Sequence, residues 1–139
     1  MKTHILLTLL LAFTTLAATP EEEKAFIDSY KKAFESSDTK ALDAMMLTEG
    51  VTAEIKEMLT GMQRIDMGKP VASIEMIAVT DADRARYGEV MEMPDGKKHK
   101  MPIPPAKLLV IKSTGGATTK VPVAEKDGKL VILLPVEAK

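Results

Sequence analysis

Thr19-Pro20-Glu21-Glu22-Glu23-Lys24-Ala25-Phe26-Ile27-Asp28-Ser29-Tyr30-Lys31-Lys32-Ala33-Phe34 is the stretch on which the fold turns. Thr19 can cap a helix, Pro20 suits a first helical position that needs no N–H, and Glu22 is placed for a capping box. Phe26, Ile27, Tyr30, Ala33 and Phe34 then recur at three- and four-residue steps, while Lys24, Asp28, Lys31 and Lys32 take the other side. One apolar stripe and one wet face predict an amphipathic helix that another layer has to cover, with Phe34 buried on the stripe.

Working downstream, Ser36-Ser37-Asp38-Thr39 offers side chains that bond the local backbone, so it ends the first helix and caps a second, short one carrying Leu42, Met45 and Met46. Thr52 caps a third, bearing Ile55, Met58, Leu59 and Met62. Gly68-Lys69-Pro70 breaks the helical period, and residues 71–79 read as a strand. Asp81-x-Asp83 is read as a turn rather than half of a metal site, because a hard cation wants six or more oxygens. Residues 84–93 alternate, with Tyr87, Glu89, Met91 and Met93 on one face, and predict a strand paired with its predecessor. Pro94-Asp95-Gly96-Lys97 is a turn signal that sends 98–101 back along it. Pro102, Pro104 and Pro105 interrupt the ladder; 108–111, 118–124 and 130–134 are the remaining strands, with Asp127-Gly128 closing the last hairpin. The expected class is therefore α+β: N-terminal helices (about three) packed on a curved antiparallel sheet of about five strands.

Working upstream, Met1-Lys2-Thr3-His4 precedes an apolar run over 5–13 and then small residues, the layout of a secretory signal peptide. Cleavage after Ala17 leaves residues 18–139 as a single domain and places the protein outside the cytoplasm, in the periplasm or secreted. The run is too short for a membrane span. Cysteine is absent from the sequence, so no disulfide and no lipid-anchored cysteine is available. A formal net charge of −1 gives no electrostatic reason for nucleic acid or an anionic membrane as partner.

The order of elements resembles the nuclear transport factor 2-like superfamily, with its cystatin-like cone, and within it small exported bacterial domains of unknown function. The likeness rests on Thr19-Pro20-Glu21-Glu22-Glu23 opening a helix with Phe26 and Phe34, on Ser37-Asp38 before Ala41-Leu42, and on Glu125-Lys126-Asp127-Gly128-Lys129-Leu130. It implies a curved sheet wrapped round a long helix, a cone-shaped cavity, and often a dimer through the outer sheet face. Members often carry an aromatic, commonly Trp, where this chain has Leu130 and no Trp at all. Function does not follow from such a fold, which hosts enzymes and plain binding modules alike.

Three functional readings come from the residues. The favoured one is a non-catalytic binding or assembly module without a cofactor, in which a methionine-rich apolar cavity takes a small apolar ligand; Tyr30, Phe34, Met58, Met76 and Met91 are its expected lining. The second is an isomerase- or lyase-type enzyme using Tyr87 and Glu89, which share a face if their segment is a strand. His99, set among Lys97, Lys98 and Lys100, is expected in solvent, which leaves no His-Asp dyad. The third is soft-metal binding, of copper, through Met91, Met93, His99 and Met101, since thioethers suit Cu(I). A two-residue Asp95-Gly96 turn would put His99 and Met101 on the face opposite Met91 and Met93, so packing is preferred to copper. Finally, 108–111 and 130–134 are apolar on both strand faces, which predicts a homodimer covering the second sheet face.

Overall fold

The computed structural model describes residues 18–139, so the signal-peptide reading of residues 1–17 lies outside the described residues. The protein is α+β. Helix α1 (Pro20–Glu35) begins as its sequence dictates: Thr19 accepts from the Glu22 N–H at 3.2 Å, and the Glu22 carboxylate accepts from the Thr19 N–H at 3.0 Å. Helix α2 (Thr39–Ala44) is capped by Asp38 and ends one turn later, so Met46 lies not on it but in the short strand β1 (Met46–Leu47). Helix α3 (Ala53–Asp66) starts at its Thr52 cap. Its exit is tied back to α1 where the Gly68 N–H donates to the Phe34 carbonyl at 2.9 Å. Among the described residues, no helix is long and apolar enough to cross a membrane.

Strand β2 (Val71–Ala78) is anchored at its start by the Val71 N–H donating to Glu35 at 3.1 Å. The segment after β2 departs from the expected strand over 84–93. Thr80 and Asp83 form a second capping box, which opens helix α4 (Asp81–Gly88). The two acidic residues read as a turn are the first turn of this helix, where they face its positive end. Alternation of apolar and polar residues gave way here to a reciprocal cap four residues ahead of Arg84.

Strands β3 (Met91–Glu92) and β4 (Lys98–Lys100) form the next hairpin, and β5 (Lys107–Ser113), β6 (Thr118–Lys126), β7 (Lys129–Leu133) and β8 (Val136–Glu137) complete the chain. The main sheet has five strands in the order β1-β7-β6-β5-β2. It is mixed rather than purely antiparallel, because β1 runs parallel to β7, with Met46 beside Ile132 and Leu47 beside Leu133. A separate sheet of three strands, β3-β4-β8, joins the hairpin inserted between β2 and β5 to the C-terminal strand.

The stripe of α1 lies on one face of the main sheet. Phe26, Tyr30 and Ala33 pack with Leu42, Leu109, Ile111, Val123 and Ile132 in one buried cluster. Phe34 joins this cluster only half-buried, because part of its ring faces a cavity rather than the strands. The other sheet face is also buried within the chain: Leu108, Val110, Ala124 and Leu133 are at most 5% exposed. Pro102 and Ile103 share a hollow with Val136 of β8 and with Leu47, the β1 partner of Leu133. The apolar face that prompted the dimer expectation is thus covered without a second chain.

Candidate functional site: a methionine-walled cavity

The β7 strand leaves its neighbour early, and the cavity lies where it does so. Pairing of β7 with β6 spans only Val123↔Ile132 to Lys126↔Lys129, after which Leu134-Pro135 diverts the chain into β8. On the side away from β5, residues 118–122 of β6 have no strand partner among the described residues. Pro122 is tolerated mid-strand for this reason. Ladder bonds to β5 alternate from the Ser113 N–H to the Ala117 carbonyl, so position 122 points its missing N–H at the bare side.

The space left is about 440 Å3, within the range of small-molecule pockets. One wall is the bare β6 segment with Ile132 and Leu134. The helical wall is Tyr30 and Phe34, stacked at 5.9 Å between ring centroids, with Leu59 and Met62 of α3. The third wall is methionine: Met91 of β3, with Met93 and Met101 just beyond the ends of β3 and β4. Polar side chains are few, namely Gln63, Asp66, Thr119 and Lys120. Asp66 is exposed and pairs with Lys69 at 2.9 Å.

Tyr30 is the buried titratable group of this site. Burial pushes its phenol up to about 12, so it stays neutral near neutral pH and cannot serve there as a base. No described residue hydrogen-bonds its hydroxyl.

Of the residues expected to line a cavity, Tyr30, Phe34 and Met91 meet in this one. Met58 and Met76 do not. Met58 faces a separate hollow with Ile55, Pro94 and Asp95, and Met76 sits opposite Leu109 in the β2–β5 ladder, beneath α1. Tyr87 and Glu89, proposed as an acid/base pair on a strand face, are instead near the end of α4 and at its C-cap. Neither lines the cavity, and Glu89 is exposed. Helical geometry places residues two apart on different sides, so the pair does not converge. Burial is the first cause raising the Tyr87 phenol.

His99 overturns its expected solvation: it is 0% exposed, and its Nε2 lies 2.7 Å from Asp95 Oδ2. The His-Asp dyad that the lysine-rich flanks argued against is therefore present. Asp95 also accepts from the Lys97 N–H at 2.9 Å, and that bond is the first cause holding its carboxyl below the usual range, ahead of His99. An ionised carboxylate only accepts, so Nε2 carries the proton. His99 Nδ1 is buried and has no hydrogen-bond partner among the described residues. The signal for this pairing was a turn acid four residues before a histidine, legible only once the register was known.

The register differs from that of the two-residue Asp95-Gly96 turn. The Met93 N–H donates to the Lys97 carbonyl at 3.0 Å and Gly96 N–H to the Met93 carbonyl at 2.9 Å, so Pro94-Asp95-Gly96 is the loop. Met91 consequently stands opposite His99, and Glu92 opposite Lys98. Among the described residues no set of three or more His, Cys, Asp or Glu side chains could hold a metal. Compared with known proteins, the chain matches no family model, no curated protein and no solved structure.

Proposed function

We propose that the protein is a non-catalytic binding module whose methionine-walled cavity takes a small apolar ligand. The observation that carries this reading is the cavity wall: aliphatic, aromatic and thioether side chains from both sheets and two helices, around one phenol that stays neutral. Methionine suits an adaptable pocket, since three torsions and a polarisable sulfur let it fit varied apolar shapes. Tyr87 and Glu89, the residues of the enzyme reading, are not among the lining of this cavity. Kinship with the nuclear transport factor 2-like superfamily is supported by the long α1 laid on antiparallel strands beside a cavity. Export to the periplasm or medium is supported by the Met1 to Ala17 pattern. A homodimer would draw on apolar surface other than the covered sheet face, such as Met62 and Ile65, 62% and 71% exposed on α3.

The test uses N-phenyl-1-naphthylamine, an apolar fluorophore that brightens on leaving water. Native protein should enhance its fluorescence saturably with one site per chain. Met62→Trp, which adds bulk at an exposed position on the cavity mouth, should weaken that binding at least tenfold (about 1.4 kcal/mol) with the melt unchanged. Unsaturable enhancement, or equal binding by the variant, overturns the reading.

A further inference from the structure

The third wall of the cavity has a chemistry that apolar packing does not use. Met91 of β3 and Met93, one residue past its end, both line the cavity, and the Met93 N–H still bonds across to Lys97. His99 is directly opposite Met91, and Met101, two residues past His99 and just beyond β4, lines the same cavity as Met91 and Met93. Directly opposed residues are ~5 Å apart at Cβ and diagonal ones ~7–8 Å, so Met91 has His99 opposite it and Met101 on the diagonal, with Met93 two residues along its own segment. The two-residue register would have split this set between faces; the three-residue loop unites it.

His99 supplies an independent observation. Its ring is fully buried, its Nε2–H is committed to Asp95, and its Nδ1 has no hydrogen-bond partner among the described residues. A buried polar atom left without a partner costs about 1–3 kcal/mol, and such atoms call for an explanation. A carboxylate that fixes one imidazole nitrogen while the other keeps its lone pair is the usual support of a metal-ligating histidine.

We propose that the β3–β4 hairpin is a soft-metal site that takes Cu(I), through the thioethers of Met91, Met93 and Met101 and the Nδ1 of His99. Asp95 is a positioning residue that orients the imidazole. Thioether donors select soft, monovalent copper over Mg2+ or Ca2+, which want oxygen. Copper held this way uses three thioethers of one cavity wall together with His99, which is not among the cavity's lining residues, and so does not depend on the apolar-ligand reading.

The experiment is an anaerobic titration of the protein with Cu(I) against bicinchoninate, a chromophoric competing chelator. Wild type should withhold one equivalent. The Met91→Leu/Met93→Leu pair, which keeps side-chain volume but removes two sulfurs, should lose affinity at least a hundredfold. Met45→Leu, elsewhere on the chain, should bind as wild type does. Asp95→Asn should weaken binding by roughly 10–100-fold. X-ray absorption of the loaded protein should show both sulfur and nitrogen scatterers. Release of all copper by the wild type overturns the proposal. So does retention by the double variant, an equal loss in Met45→Leu, unchanged affinity in Asp95→Asn, or a sulfur-only shell. Naphthylamine binding without copper retention would leave the apolar reading standing and remove this one.

Discussion

Asp127-Gly128 and Asp95-Gly96 each close a hairpin, one in the main sheet and one in the small sheet, yet the same dipeptide builds two different loops. At Asp127-Gly128 both residues have positive φ, 52° and 76°, and Lys126 pairs with Lys129 across a two-residue turn. At Asp95-Gly96 only Gly96 is positive, at 75°, and the loop takes in Pro94. Proline fixes φ near −65° and so suits the first central position of a type I turn, which leaves glycine the left-handed place after it. The residue before the dipeptide therefore selects the register, and register selects which side chains share a face. In the β6–β7 hairpin that choice feeds the core; in β3–β4 it brings three methionines and a histidine together.

The two hairpins should also differ in what they hold up. Val123 and Ile132 face each other in β6–β7, 0% and 1% exposed, at the centre of the core cluster. Ile132→Ala should cost about 2–5 kcal/mol in denaturant melts. Met91→Ala, in a half-buried position on the cavity, should cost less, about 1–2 kcal/mol. Equal losses would mean that the small sheet is as much part of the core as the main one.

Titration separates the regions next. Tyr30 belongs to the main core and its phenol is raised, so stability is fully present below pH 10 and is lost as pH climbs through about 12. The two-unit difference corresponds to about 3 kcal/mol at the alkaline end. Tyr30→Phe should flatten that limb. Asp95 belongs to the small hairpin and is lowered, so its contribution is present above about pH 4, the ordinary carboxylate value, and is lost as pH falls through the depressed one. Asp95→Asn should remove part of the acid limb and leave the alkaline limb alone. An acid profile unchanged by that substitution would show that the Asp95–His99 contact adds nothing to folding.

Much of the main layer was legible in the residues. Caps at Thr19, Asp38 and Thr52, with apolar residues at helical spacing, locate α1 to α3, and β-branched runs locate β2 and β5 to β7. The features that escaped have a common physical cause: they depend on partners far along the chain or on a single dihedral. β1 exists because Met46 and Leu47 find β7, 86 residues further on. The strand read at 84–93 fails because Thr80 and Asp83 cap each other, a local contact stronger than weak alternation. His99 was placed in water by its lysine neighbours, yet Lys98 and Lys100 take the outer face of the same strand. A methionine-rich cavity with Tyr30, Phe34 and Met91 in its lining was legible, but its place was not, since it arises where Leu134-Pro135 turns β7 away from β6.

The smallest expected effect bears most directly on the two loops. If Pro94 alone sets the register of β3–β4, then Pro94→Ala should let Asp95-Gly96 adopt the two-residue turn of Asp127-Gly128. Such a slip moves every side chain of one strand to its other face. It would turn His99 out from its buried seat, break the 2.7 Å contact with Asp95, and turn the exposed Lys98 and Lys100 inward. Burying an unpaired ammonium costs far more than the loop preference that proline adds, which is about 0.4–1 kcal/mol through the unfolded chain. The register should therefore survive, with stability lowered by about that amount. Glu92 and Lys98 form the non-hydrogen-bonded pair next to the Met93–Lys97 bond, so their α-protons should give a strong nuclear Overhauser contact in both proteins. Replacement of that contact by one between Met93 and Lys98 would show that the proline, not the buried histidine, holds the methionines and His99 on one face.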